Sequence, residues 1–353
     1  MSIVPFDHPW LSRLLGDDAI APQFSPEADH EEMVYFEEAL AAAEGAEGVI
    51  PADSAAYIAE HIGGFGADFV AIRDAAARDG VVVPEFVRQL REFMGPHGRY
   101  VHFGATSQDV IDTSLLLRLR PVLGEFEERL RKLIAALDNL DARFGNQTLM
   151  GRTRMQDAIA IRAADRIGAW REPLKRDLER LIALTLRLLV LQFGGAAGTL
   201  DALGSKGPAV AARLAQTLDL RLPERSWHSQ RDNIVEFAGW LALVSGTLGK
   251  IGTDIALMAQ NAIGEIGLES GGGSSAMPHK SNPVGAEVLV ALAHANATLV
   301  GGMHHALVHE QERSGAAWTL EWLLLPQMVM ATAAGLRTAL TLCGQVKRIG
   351  KPA

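Results

Sequence analysis

The densest run of chemically capable residues is Gly271 to Glu287, GGGSSAMPHKSNPVGAE. Three consecutive glycines cost chain entropy, so a loop that carries them serves unusual dihedrals or mobility. This loop delivers Ser274, Ser275, His279 and Lys280 and then enters a helix, with Asn282 the expected N-cap and Pro283 the expected first helical residue. A helix N-terminus offers free amides and partial positive charge to an anion, and Lys280 adds a full charge. The chemistry this favours is making or breaking a bond beside a carboxylate. The plain alternative is a flexible linker before a capped helix.

Two further segments carry polar clusters. In VHFGATSQDVIDT, residues 101–113, His102, Thr106 and Ser107 precede a long helix, with Gln108 and Asp109 in its first turn. Alone, this is an ordinary capped helix start. In GRTRMQDA, residues 151–158, Arg152, Thr153, Arg154 and Gln156 crowd what reads as the start of another helix. The serines of the glycine loop follow a helix with no strand before them, so a hydrolase nucleophile elbow is not indicated. His305 and His309, spaced i,i+4, suggest a metal, but no further ligands lie within reach in sequence. A solvated or core-edge pair is the better reading, and neither a metal nor a cofactor is assigned.

The elements that must position these residues read as an all-α fold. Short helices over about 31–44, 54–62, 67–79 and 84–94 form an N-terminal helical domain, residues 1–99, closed by Gly95-Pro96-His97-Gly98. A central domain of about five long helices follows over 100–345, with a short tail at 346–353. Leu116, Leu119, Leu123, Phe126, Leu130, Leu133, Leu137, Leu140 and Phe144 recur at alternating steps of three and four. So do Ile234, Phe237, Leu241, Val244, Leu248, Ile251, Ile255 and Met258. Such seams imply helices packed nearly parallel or antiparallel. Beside the second seam runs a stripe of small residues, Val235, Ala238, Ala242, Ser245, Gly249, Gly252, Ala256 and Ala259. Glycine inside a helix costs about 1 kcal/mol against alanine, so the stripe predicts close approach of another helix on a second face. Further long helices fit 156–192 (with a kink expected at Pro173), 283–312 and 318–345.

Bulk properties narrow the partners. A net charge of -9 argues against nucleic acid, and any anionic substrate must find a local cluster of basic side chains. No uninterrupted apolar run reaches the roughly 18–20 residues of a membrane span. The first residues lack a basic stretch, so no signal peptide is expected. Cys343, the single cysteine, cannot form an internal disulfide, and a cytoplasmic location is expected.

Taken together in order, the three segments resemble the fumarase/aspartase superfamily, whose signatures are T-S-x-D at a helix start, G-R-T-H-x-Q, and G-S-S-x-M-P-x-K-x-N-P ending in a glutamate. The resemblance runs over about residues 1–345. It implies a homotetramer built on a bundle of long helices, with active sites shared between subunits. Two departures single out a branch. Arg154 stands where most of these lyases carry a catalytic histidine, and the family's small C-terminal helical domain is missing or reduced after about residue 345. The first departure resembles the branch that lactonises 3-carboxy-cis,cis-muconate in aromatic degradation. QFGGAAGTLDALG (192–204), WHSQRDNIVEFAG (227–239), LVSGTLGKIGTDIAL (243–257) and ERSGAAWTLEWLLLPQ (312–327) resemble it too.

On that resemblance Ser274 is the acid/base, with Ser275 the alternative. Lys280, Asn282, Thr106 and Ser107 hold substrate carboxylates, and Thr153 and Gln156 contact substrate. Arg152, Arg154, His102 and Arg313 are further candidates for the remaining carboxylates of a small tricarboxylate substrate. Glu287, which in relatives pairs with the absent histidine, is expected to pair with Arg154. The chemistry explains the missing histidine. A lyase expelling an amine or hydroxide needs an acid for its leaving group, whereas a lactonising carboxylate is already ionised, with pKa values near 4. The alternatives are adenylosuccinate lyase or another C–N lyase of this fold, or a non-enzymatic relative of the crystallin kind. Arg154 opposes the first and the intact loop the second.

Overall fold

The computed structural model describes residues 4–269, 271–273, 277 and 281–350. The chain folds as α1 Ser12–Leu15, α2 Pro26–Ala46, α3 Ala52–His61, α4 Phe69–Asp79, α5 Val83–Phe93 and α6 Ser107–Phe144. A hairpin of β1 Thr148–Thr153 and β2 Gln156–Arg162 leads into α7 Ala163–Leu188. Then come α8 Gly207–Thr217, α9 Asp232–Met258, β3 Ile266–Leu268, α10 Val284–Ala306, α11 Ala316–Gln345 and β4 Val346–Ile349. Helices dominate and the strands are short, as an all-α fold requires.

The four short helices form where the sequence places them, and local chemistry sets their ends. Ser25 caps α2 by accepting from Ala28 N at 3.2 Å, and Asp68 caps α4 from Val70 N and Ala71 N. Gly80, at φ +74, closes α4 in a left-handed turn that favours glycine.

Among the described residues, α6, α7, α9, α10 and α11 form the long-helix bundle. Both leucine-rich seams are its core: every seam position is buried except Phe144, which packs against it half-buried. The small-residue stripe of α9 faces α10. A β-carbon on Gly249 would lie 2.5 Å from Ala293 Cβ, and one on Gly252 would lie 2.5 Å from the Ala286 carbonyl oxygen. Beside this contact Asn296 of α10 donates to Ser245 Oγ of α9 at 2.7 Å and to Thr332 Oγ1 of α11 at 2.9 Å. Three apolar helices are thereby pinned at one register by a buried polar knot.

A second core unites α2–α5 with α8 and residues 191–220, against Val110 and Leu117 of α6. The sequence reading assigns no element to residues 207–217, where α8 lies. By length and composition alone, α9, α10 and α11 are each long and apolar enough to cross a membrane.

The 151–158 segment corrects the expected helix start. It is a hairpin, in register Thr148↔Arg162 to Thr153↔Gln156, and α7 begins only at Ala163 and runs through Pro173. Arg154 and Met155 form its two-residue turn at φ +51 and +66. Two left-handed residues match the twist of a tight hairpin, yet neither is the glycine or asparagine that usually marks one. Most of β2 is exposed, so it shows no buried-to-exposed alternation to read. At the start of α10 the cap also moves by one: Pro283 is the N-cap, and Asn282 instead pairs backbone to backbone with Gly272 at 2.8 and 2.9 Å.

Candidate active site

The best-built polar cluster lies at the N-terminal end of α6. Thr106 is the N-cap, and Asp109, three residues on, accepts from Thr106 N at 3.0 Å. The Asp109 carboxylate is fully buried and also accepts from Gly194 N and Gly195 N, each at 2.9 Å. His228 Nε2 stands 2.7 Å from its Oδ1. A carboxylate only accepts, so this ring nitrogen is the one that carries hydrogen. Asp109 therefore joins three segments: the start of α6, the glycine-rich loop at 194–195 and the loop before α9.

Arg313 closes over this frame. Its Nη1 donates to Thr106 Oγ1 at 3.0 Å, and its Nη2 to the carbonyls of Gly195 at 3.3 Å and Ala196 at 3.1 Å. Two of the sequence-predicted residues, 207 positions apart, thus touch. Ser107 is the first residue of α6 beside them. His102 sits four residues before Thr106, in a left-handed backbone at φ +60. Its Nδ1 lies 2.6 Å from Oε1 of the buried Glu37. Seven residues along α2, Glu44 is wholly buried with neither carboxylate oxygen partnered. Burial, and then the charge of Glu37, push its carboxyl up to about 9.

Beneath the cluster Arg231 is sealed between two acids. It donates to Asp112 at 2.6 and 3.1 Å and to Glu321 at 2.8 and 2.6 Å. Trp318 Nε1 and Gln108 Nε2 complete Asp112, at 3.0 and 3.1 Å. Burial alone would raise the Glu321 carboxyl, but contacts with His309 and Arg231 outweigh it and hold it below the ordinary range. His309 has its ring 3.6 Å from Glu321 and lies beyond the end of α10 at Ala306, so it does not share a helical face with His305. No group of three or more His, Cys, Asp or Glu among the described residues is placed to hold a metal.

The other predicted residues gather elsewhere. Thr153, Arg154 and Gln156 are exposed at the hairpin tip. Arg152, at its base, is already engaged: Nη1 donates to Glu265 Oε2 at 2.8 Å, and Nε stands 2.9 Å from Asp157. Glu287 is exposed in the first turn of α10. Among the described residues, neither Glu287 nor Arg154 forms an ion pair within the chain. Asn282 flanks the glycine loop, while Ser274, Ser275 and Lys280 lie outside the described residues.

These two groups occupy opposite ends of the bundle. α6 has 38 residues, about 57 Å at 1.5 Å per residue, with Thr106 before its first turn and the hairpin just past its last. The α10 start lies at the hairpin end too, because Ala286 packs on Gly252 near the end of α9 and β3, seven residues after it, pairs with β4. Glu37, Asp109 as a junction, and His228 are the residues the sequence reading gives no role. A lone histidine and an acid in a first turn carry no signal of the long-range partners that make them matter.

The comparisons with known proteins agree with this architecture. A family model described as a lyase matches residues 18–296. A 3-carboxy-cis,cis-muconate cycloisomerase of Pseudomonas aeruginosa is 42% identical, over 90% of this chain and 71% of its own. One of Bradyrhizobium diazoefficiens is 39% identical, over 93% and 74%. The crystal structure of the 3-carboxy-cis,cis-muconate lactonizing enzyme of Pseudomonas putida superposes with a TM-score of 0.89 at 39% identity, over 95% of this chain and 76% of that one. With its long-helix bundle and this similarity over most of its length, the chain belongs to this lyase family, the fumarase/aspartase superfamily.

Proposed function

We propose that the chain is a 3-carboxy-cis,cis-muconate cycloisomerase, closing a carboxymuconate to a carboxymuconolactone in the breakdown of aromatic compounds by the protocatechuate, or β-ketoadipate, route. The observation that carries this choice within the family is Arg154 at the hairpin tip, on a chain so similar to the cycloisomerases. An arginine there supplies charge to a substrate carboxylate and no proton to a leaving group. In the cyclisation a substrate carboxylate oxygen bonds to an alkene carbon. The alkene electron pair moves to the carbon alpha to another carboxylate, and that carbon takes one proton. In reverse the carboxylate leaves and needs none. One acid/base therefore suffices, and Ser274 holds that role, with Ser275 its neighbour. Amides of the loop, the α10 N-terminus and Lys280 stabilise its alkoxide.

The length of α6 between the two groups, about 57 Å, supports a site assembled from several copies, as in a homotetramer. Thr106, Ser107, His102 and Arg313 then come from one subunit. The hairpin's Arg152, Thr153, Arg154 and Gln156, and the loop with Ser274, Lys280 and Asn282, come from others. Glu287 pairs with Arg154 across that interface, which accords with neither forming an ion pair among the described residues. The apolar α9, α10 and α11 serve a bundle rather than a bilayer, since they carry Asp254, Asn296 and Glu321 inward. We place the protein in the cytoplasm, with no nucleic-acid or membrane partner and no cofactor. The test is loss of conjugated-diene absorbance on 3-carboxymuconate, run beside adenylosuccinate. The expected result is turnover of the first alone, abolished by Ser274→Ala with the assembly intact. Turnover of adenylosuccinate instead, or Ser274→Ala within about tenfold of wild type, overturns the assignment or the serine's role respectively.

A further inference from the structure

At the Asp109 junction the His228 ring has an unused nitrogen. The ring is 3% exposed, Nε2 is committed to Asp109, and Nδ1 has no partner. A buried polar atom left open costs on the order of 1–3 kcal/mol, so a persistent one calls for a partner. The surroundings supply a place for it. His228 borders a cleft of about 680 Å³ between the 197–200 loop, the 222–230 loop and Gln311–Glu312. Gly198, at φ +82, leaves a notch above the ring: a β-carbon there would lie 3.6 Å from Ser226 Oγ and 3.9 Å from His228 Nδ1. An oxygen atom seated in that notch meets Nδ1 and the Ser226 hydroxyl, whose one hydrogen then turns to it from Gln192 Oε1, 3.4 Å away. The cleft adjoins the Thr106–Arg313 contact, because Arg313 binds Ala196 O and Ala197 lines the cleft wall.

We infer that His228, carried by Asp109, is a substrate-binding residue, and that its Nδ1 and Ser226 Oγ hold one carboxylate of the tricarboxylate substrate. This rests on the reaction proposed above. Its chemistry follows from the tautomer. A tricarboxylate at neutral pH offers acceptors only, since carboxyl pKa values lie near 4. Nδ1 must then carry a proton of its own in the complex, making the ring an imidazolium between Asp109 and the ligand. Binding therefore takes up a proton wherever the free ring is neutral. The charged groups around the ring are Asp109 and, through Gln108, Asp112 from α6. Glu224, Arg225 and the buried Arg231 come from the segment before α9, and Glu312 and Arg313 from the segment before α11.

His228→Gln separates this role from a structural one, because a glutamine Nε2 replaces the donor to Asp109 and nothing replaces Nδ1. Ser226→Ala is the second variant, with no bearing on Asp109. The probe is propane-1,2,3-tricarboxylate, titrated calorimetrically at pH 7.5 in two buffers of different ionisation enthalpy, beside steady-state kinetics on 3-carboxymuconate. The expected result for His228→Gln is affinity and KM weakened about tenfold or more, as for loss of a charge-assisted hydrogen bond, with KM affected more than kcat. Its proton uptake on binding disappears, and Ser226→Ala weakens binding less while keeping the uptake. His228→Gln that matches wild type in affinity, KM and proton uptake overturns the inference. If the probe behaves as expected while neither protein turns over 3-carboxymuconate, the reaction assignment falls and the carboxylate contact stands.

Discussion

A carboxyl group sealed in a core without partners is tolerable protonated and costly charged, and Glu44 is such a group. Its folded-state pKa of about 9 lies above the ordinary 4.5. Between these values the folded chain binds the proton more tightly than the unfolded one, so Glu44 erodes stability as pH rises through that window. The slope reaches about 1.4 kcal/mol per pH unit. Glu44→Gln removes it. Urea midpoints at pH 5.5 and 8 are expected to show the variant gaining on wild type toward pH 8. A parallel pH dependence of the two proteins would place the proton elsewhere. At this scale the sequence discloses residues whose local string is distinctive, such as Thr106 and Asn282. It does not disclose the closure of Arg313 on Thr106 as a contact, nor Glu37 on His102, nor His228 on Asp109, because each pair is set by how distant segments fold together.

At the level of elements, α9 offers an internal control. Gly252 and Gly246 both lower the intrinsic helix propensity of α9, and each alanine substitution returns up to about 1 kcal/mol. Around Gly246 the space is open, whereas at Gly252 a β-carbon meets the Ala286 carbonyl at 2.5 Å. Gly246→Ala is expected to stabilise. Gly252→Ala is expected to destabilise by about 1–3 kcal/mol, the usual cost of overpacking, because the clash is with backbone that only separation of α9 and α10 relieves. Denaturant unfolding of the two variants measures both signs. Equal gains from both would mean that the stripe is ordinary helix surface. The seams and this stripe were legible because their period is that of a helix with one or two packed faces. The hairpin was not, since Arg154 and Met155 carry no turn signature and its second strand stands largely in solvent. α8 opens on Gly207-Pro208 directly after a glycine-rich stretch, so its start reads as loop.

For the whole molecule, the length of α6 decides what one chain can do. Arg313 and Thr106 stand at one end, and the hairpin and the start of α10 at the other, so one small ligand does not span both within a single copy. Two defects placed at opposite ends should then complement each other. Ser274→Ala and Arg313→Ala are each expected to give inactive assemblies, while hybrids formed by co-expression recover activity. With random mixing in equal amounts, each site draws an intact loop half of the time and an intact Arg313 half of the time. The recovered activity is then on the order of a quarter of wild type in a closed symmetric oligomer. Size-exclusion chromatography with differently tagged variants establishes that hybrids form. Hybrids that form and stay inactive would mean that loop and arginine serve the same site from the same chain, which the extended α6 makes sterically untenable without a different fold of the bundle. Recovery near a quarter ties the activity to the assembly rather than to the single chain.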